Sequence, residues 1–166
     1  SHSGVKNAEA WARGVVENFA RRPQSNDTGQ IEAVASGECG ISVVNTYYLA
    51  RLVASEDPER RAISETVAVV FPNQGAEGTH MNISGAGVLK NAPNRENAIR
   101  FLEYLTEEKA QSYFANGNNE YPVVEGVAPA AAVIKLGSFE QDKLDASQLG
   151  LNQSAAVRVF DRVGWP

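Results

Sequence analysis

The stretch that decides the fold is Gly40-Ile-Ser-Val-Val-Asn-Thr-Tyr-Tyr-Leu-Ala-Arg51. Its apolar run, Ile41 to Val44, predicts a short buried strand, and the apolar spacing from Leu49 to Val53 predicts the start of a helix. The pair Tyr47-Tyr48 therefore falls between a strand and a helix. Open α/β sheets bind their ligands at this kind of junction, beyond the carboxyl ends of the strands.

Two adjacent phenols at such a junction are open to two interpretations. Neighbouring side chains of a regular strand point to opposite faces, but at a strand-to-helix turn they can point toward one position. An ionised phenol is a hard anionic oxygen ligand, so this pair suits a hard, highly charged cation such as ferric iron. The alternative is packing, because Tyr is common on half-buried strands and helix starts, where its hydroxyl reaches water.

Helices and strands alternate along the rest of the chain. Apolar periodicity and capping residues predict helices over residues 8–20 (capped by Asn7, with a stripe of Trp11, Val15 and Phe19), 27–35 (ended by Gly37), part of 55–64, a segment opened by Pro93-Asn94, 107–116 (capped by Thr106 and ended by Gly117), and a last segment from Ser147 or Asn152. Strands are predicted at residues 67–71 and 80–88, with a further short strand in the loop 118–129. The alternation favours the α/β class over a helical bundle.

Composition excludes several partners. The chain has 166 residues, within single-domain size, and a net charge of −5. Mild acidity argues against a nucleic-acid partner, which favours a basic face. No apolar run approaches the length that a membrane span needs, so we expect no membrane insertion.

The known patterns of catalytic residues are missing from the sequence. The run Ser84-Gly85-Ala86-Gly87 does not follow the G-x-G-x-x-G spacing of dinucleotide sites, and no G-x-S-x-G, H-E-x-x-H or C-x-x-C occurs. His2 lies near one end of the chain, and His80 is predicted to be a packing histidine on a strand. We therefore predict a binding protein rather than an enzyme.

The segment Val44-Asn-Thr-Tyr-Tyr-Leu-Ala-Arg51 resembles the double-tyrosine motif of bacterial periplasmic ferric-iron-binding proteins, the capture component of iron ABC transporters. The resemblance extends in order over nearly the whole chain. The other matching segments are Ala8-Glu-Ala-Trp-Ala12, Phe71-Pro-Asn-Gln74, Gly78-Thr-His-Met-Asn-Ile-Ser-Gly-Ala-Gly-Val88, Asn91-Ala-Pro-Asn-Arg-Glu-Asn-Ala98, Asn119-Glu-Tyr-Pro-Val123 and Val157-Arg-Val-Phe-Asp-Arg-Val-Gly-Trp165.

This resemblance implies an α/β fold like that of type II periplasmic-binding proteins, with two lobes joined by crossover strands. The chain corresponds to the C-terminal half, so it is expected to hold most of the C-terminal lobe and part of the N-terminal lobe, and to lack an N-terminal half and a signal peptide. Residues 1–77 would form a C-terminal-lobe segment carrying the Tyr pair. Residues 78–128 would cross to the N-terminal lobe, and residues 129–166 would return.

The resemblance also implies a function. Tyr47 and Tyr48 match the ferric-iron ligands, and Asn45 matches a position that helps to hold a synergistic anion, carbonate or phosphate, beside the iron. The implied role is capture of Fe3+ in the periplasm and delivery to an inner-membrane ABC permease. The N-terminal lobe would supply the remaining ligands.

Two alternatives stay open. One is a periplasmic binding module for an anion or small organic solute, in which the Tyr pair stacks or donates hydrogen bonds. The other is a ligand-free interaction or regulatory domain. The single cysteine, Cys39, is predicted to be either a buried thiol or the partner of a cysteine in the N-terminal half.

Overall fold

The computed structural model describes residues 1–24 and 26–166. Within these ranges the chain forms eight helices, connected by turns and non-helical segments: α1 (Gly4–Glu17), α2 (Asp27–Ala35), α3 (Thr46–Val53), α4 (Pro58–Glu65), α5 (Arg95–Leu105), α6 (Glu108–Asn118), α7 (Ala131–Ile134) and α8 (Ala146–Val163). None of these helices combines the length and the apolar character that crossing a membrane requires.

Helix α2 confirms its predicted bounds. The Asn26 side chain accepts a hydrogen bond from the backbone N–H of Gly29 at 3.2 Å, which satisfies a free donor in the first turn. At the other end Gly37 has φ +79°, the left-handed conformation that stops a helix.

Helix α1 begins earlier than predicted. Its N-cap is Ser3, and Asn7 lies inside the helix, where its side-chain amide donates to the carbonyl oxygen of Ser3 at 3.0 Å. The predicted stripe holds only in part, because Trp11 is 63% exposed and its neighbour Ala12 is buried, while Val15 and Phe19 are half-buried. The buried face of α1 is set by what α8 contacts rather than by the largest side chains.

The predicted caps of α6 and α8 also need correction. The Thr106 hydroxyl donates back to the carbonyl oxygen of Glu103 at 2.7 Å, so it closes α5, and Glu107 is the N-cap of α6. Helix α6 passes Gly117 and ends at Asn119, whose φ of +60° is left-handed. Helix α8 starts after Asp145, which accepts a hydrogen bond from the backbone N–H of Ser147 at 2.7 Å.

The strand predictions at residues 41–44, 67–71, 80–88 and within 118–129 are wrong for this structure. In the part of the chain that the structure describes, the only bridge between strand-like residues is a parallel one from Thr79 to Gln141. We call residues 41–44, 67–71 and 80–88 the apolar non-helical segments. Val44 and Val67 contact the core, but Val43 is 93% exposed. A strand needs a neighbouring strand for its backbone hydrogen bonds, and these segments have none among the described residues.

The core consists of small clusters between helices. Helix α1 packs against α8, where Ala12 contacts Val159 and Val163. Phe19 and Trp165 extend this contact, with ring centroids 5.4 Å apart and planes at 78°. Edge-to-face geometry of this kind is favourable for aromatic pairs.

Helix α3 lies at the centre of a second group of packed helices. It packs against α2, α4 and α7. Leu49 and Leu52 join a buried cluster with Ile31 of α2, and Ala50 joins another with Val133 of α7. With apolar contacts on several sides, α3 has a fixed position from which its first turn projects.

Residues 72–79 lie in close backbone contact with residues 140–142. Thr79 N–H donates to the Glu140 carbonyl oxygen at 2.8 Å, and Asp142 N–H donates to the Thr79 carbonyl oxygen at 2.9 Å. Gly78 lies against this contact with φ +87°, and a Cβ atom there would lie 2.6 Å from the carbonyl carbon of Gln141. Only glycine allows the two backbones to come this close.

Candidate functional site

The tyrosine pair occupies the first turn of α3. Asn45 is the N-cap, and its carbonyl oxygen accepts a hydrogen bond from the backbone N–H of Tyr48 at 3.2 Å. Tyr47 and Tyr48 are both half-buried. Their ring centroids are 4.4 Å apart and the ring planes are inclined by 34°, so the two phenols lie side by side. The buried residues of α3 begin at Leu49, so the polar hydroxyl groups lie in its first turn.

Arg51 covers both rings. Its guanidinium carbon lies 5.1 Å from the centroid of the Tyr47 ring and 5.5 Å from that of Tyr48. A cation at this distance is attracted to an aromatic face. The sequence held a signal for this contact, since residues three and four positions apart lie on the same side of a helix.

The Tyr47 phenol is harder to ionise than a free one. Hydrogen bonding with the Tyr48 side chain is the largest cause that raises the pKa of Tyr47, followed by burial and by the charges of Tyr48 and Asp27. The positive charge of Arg51 acts in the opposite direction. A cation that uses this phenol as a ligand must therefore displace a proton at neutral pH.

Asp27, which is the first residue of α2, holds the N-cap of α3. Its Oδ2 atom accepts from the Asn45 backbone N–H at 2.9 Å and from Asn45 Nδ2 at 3.4 Å. Asn82 Nδ2 donates to Asn45 Oδ1 at 3.0 Å. Sequence reasoning missed Asp27 and Asn82, because both reach Asn45 through tertiary contacts.

The remaining candidate residues lie elsewhere. His80 is exposed, so its prediction as a packing histidine is wrong, and His2 lies 2.8 Å from Asp142. Cys39 is a half-buried free thiol. Across residues 1–24 and 26–166, no group of three or more His, Cys, Asp or Glu side chains is placed to hold a metal ion.

A cavity of about 790 Å³ lies away from the tyrosine pair. It is lined by His2, residues 76–78 and residues 140–145. It contains neither the tyrosines nor Asn45, so it does not extend the candidate site.

The chain belongs to the family of bacterial extracellular solute-binding proteins, which matches residues 2–141. It is 49% identical over 162 residues to the iron uptake protein A1 of Synechocystis, covering 98% of this chain and 45% of that protein. Its structure matches a Trichodesmium protein described in complex with iron and citrate ligands, with 52% identity and a TM-score of 0.91, over 99% of this chain and 52% of that one. It also matches the ferric binding protein of Campylobacter jejuni, with 35% identity and a TM-score of 0.91, over 97% and 51% of the two chains.

These similarities establish the fold. It is the α/β fold of the type II periplasmic-binding proteins, and the chain spans about half the length of the proteins it matches. The fold class and the family resemblance drawn from the double-tyrosine segment are therefore confirmed. The chain superposes on these relatives with TM-scores of 0.91. Its apolar non-helical segments nevertheless carry no strand ladder among the described residues.

Proposed function

We propose that the protein carrying this chain binds ferric iron in a cleft between two lobes and delivers it to an ABC permease of the inner membrane. Tyr47 and Tyr48 would be two of the iron ligands. The observation that supports this most directly is that the two phenol rings, with centroids 4.4 Å apart, lie together in the first turn of a helix whose Leu49, Ala50 and Leu52 are buried. The kinship with proteins named for iron uptake and ferric binding points to the same cargo.

The chemistry of the pair suits this cargo. Two phenolates supply hard anionic oxygen atoms to a hard trivalent ion, and no redox or bond-breaking step is needed, so the role is binding rather than catalysis. Arg51 lies over both rings, and its charge favours the ionised form of Tyr47. Two ligands leave most of the coordination sphere open, so the N-terminal lobe would complete it when the cleft closes.

We also propose a division of the chain between the lobes. Residues 1–77 and 129–166 would form one lobe and residues 78–128 would belong to the other. Supporting contacts run between the first and third segments, where α1 packs against α8 and α3 packs against α7. Helices α5 and α6 of the middle segment pack chiefly against each other.

Asn45 enters the proposal as the holder of a synergistic carbonate or phosphate. Its side-chain Nδ2 atom makes a contact of 3.4 Å with Asp27, long for a hydrogen bond, and can turn toward an anion beside the iron. The Asp27 carboxylate is a competing acceptor at that position, so an anion would have to displace it from Nδ2.

The test is a double variant in the natural full-length protein. Changing Tyr47 and Tyr48 to Phe removes only the two hydroxyls, so the fold should persist while the phenolate-to-iron colour formed with ferric citrate disappears. The matched control changes Tyr104 and Tyr113 to Phe, since both are exposed and lie on α5 and α6. Full colour and affinity in the first variant would refute the ligand assignment.

The same material separates the two other functional classes. A colourless wild-type protein that is stabilised against heat by an anion or small organic solute would identify a solute-binding module. A wild-type protein stabilised by no metal, anion or metabolite would identify an interaction domain.

A further inference from the structure

The Asp27 carboxylate is the feature that links α2 to the tyrosine pair. It accepts the Asn45 backbone N–H at 2.9 Å, across 18 residues of sequence, and Asn45 immediately precedes the helix that carries both phenols. A hydrogen bond to a charged acceptor is among the stronger ones in proteins. Its position at the N-cap means that it controls the direction in which the chain enters α3.

Both ends of this link are fixed. Helix α2 is held by the Asn26 cap and by Ile31, which is buried against Leu49 and Leu52 of α3. The Asp27 side chain therefore projects from a rigid base rather than from a mobile loop. Asn82 Nδ2 also donates to Asn45 Oδ1, so a second contact holds the Asn45 side chain.

The consequence for the phenols follows from geometry. Tyr48 N–H donates to the Asn45 carbonyl oxygen, and Tyr47 lies between these two residues in the first turn. A rotation of the Asn45 peptide would therefore move both rings relative to the body of α3. First turns fray readily, because their N–H groups lack partners within the helix.

We propose that Asp27 is a positioning residue for the tyrosine pair: its carboxylate fixes Asn45, and with it the first turn of α3, so that both phenols face the iron together. This inference rests on the proposed ferric-iron function. The hydrogen bonds of Asp27 go to Asn45, so it acts on the metal through Asn45.

The experiment compares Asp27→Ala, Asp27→Asn and a control, Asp145→Asn, in the natural full-length protein. Asp145 is also a capping carboxylate, but it caps α8, away from α3. Asp27→Ala should lose about tenfold in affinity for ferric citrate, equivalent to about 1.4 kcal/mol. The absorption maximum of its iron complex should also shift from that of the wild type. Asp27→Asn should lose less, because its amide oxygen still accepts the Asn45 N–H. The control should match the wild type.

Measurements on the iron-free protein keep this proposal separate from the proposed function. Hydrogen exchange at the amides of Asn45 and Tyr48 should accelerate in Asp27→Ala and less so in Asp27→Asn, while the control should match the wild type. These outcomes would stand even if the wild type bound no iron, which would overturn the proposed function alone. Unchanged exchange in Asp27→Ala, or an equal loss of affinity in Asp27→Asn and Asp27→Ala, would overturn the positioning role.

Discussion

Replacing Gly78 with Ala tests the close approach of two backbones at the junction of residues 72–79 with residues 140–142. The added Cβ would lie 2.6 Å from the Gln141 carbonyl carbon and 2.8 Å from the Asp142 nitrogen. Carbon atoms pack best about 3.5–4.0 Å apart, so the methyl group would be about 1 Å too close to atoms that cannot rotate away. Gly126 offers a matched control, with φ +85° against +87° for Gly78 and no atom within 4 Å of its hypothetical Cβ.

The magnitude follows from two separate costs. Left-handed backbone costs an L-residue about 1–2 kcal/mol, and the lower entropy of the unfolded Ala chain offsets about 0.4–1 kcal/mol of this. Both variants share these contributions. Gly78→Ala carries a further cost of about 1–3 kcal/mol for overpacking. The difference between the two variants, about 1–3 kcal/mol, is the signature of the close approach.

Urea unfolding of the natural full-length protein provides the measurement. The free energies of unfolding of the two variants are compared with that of the wild type. An unchanged slope of this free energy against urea concentration shows that the variants and the wild type undergo the same unfolding transition. Equal losses in Gly78→Ala and Gly126→Ala would refute the reasoning, because the shared backbone cost would then account for both.

Three further predictions concern charge, protons and exposed surface. Two nitrogen atoms of Arg162 lie 2.6 and 2.8 Å from Glu9 Oε2, and this contact lowers the pKa of Glu9. The pair therefore stabilises the folded state at pH values above the usual glutamate pKa, and this stabilisation is lost as pH falls through the lowered pKa. In urea unfolding, Glu9→Gln should have a smaller free energy of unfolding than the wild type near neutral pH, and the difference should disappear in acid. Because the phenols of Tyr47 and Tyr48 must lose protons, iron affinity should fall from neutral pH toward about pH 5, and titration of chelated iron in weak buffer should release protons beyond those of the chelator; binding without proton release would contradict phenolate ligation. Expressed alone, this chain should self-associate through its apolar non-helical segments, and Val43→Lys should reduce the association measured by light scattering, since a charge at an unpaired edge blocks pairing; a monodisperse wild-type monomer would rule this out.

Local signals predicted most of the helices but missed α7, and α3 begins at Thr46 rather than at Leu49, so the tyrosine pair lies inside the helix rather than before it. The Asn26 cap and Gly37 bracket α2 at its observed bounds, and Pro93-Asn94 directly precedes α5. Errors arose where two residues competed for one role. Asn7 resembled a cap, but Ser3 takes that position, and Thr106 closes α5 rather than opening α6. Propensity identifies residues able to cap a helix, and the surrounding contacts decide which one does.

Non-local partners limited the rest. An apolar run such as residues 67–71 has the composition of a strand whether or not a partner strand lies beside it. Composition therefore predicted a strand here, although this segment has no partner strand among the described residues. The same limit applies to the site. Tyr47 and Tyr48 are adjacent in sequence and were recognised, and Arg51 follows from helical spacing. Asp27 reaches Asn45 across 18 residues through the packing of α2 on α3, which no short-range pattern contains.

The packing of α1 against α8 has a consequence for synthesis of the protein. The Glu9–Arg162 contact spans 153 residues of chain. Ribosomes add about 5–20 residues per second, so α1 waits roughly 8–30 s for the helix that covers Ala12. During that interval its apolar face is free to meet other nascent surfaces. Within this chain α1 is therefore secured only after α8 has been made.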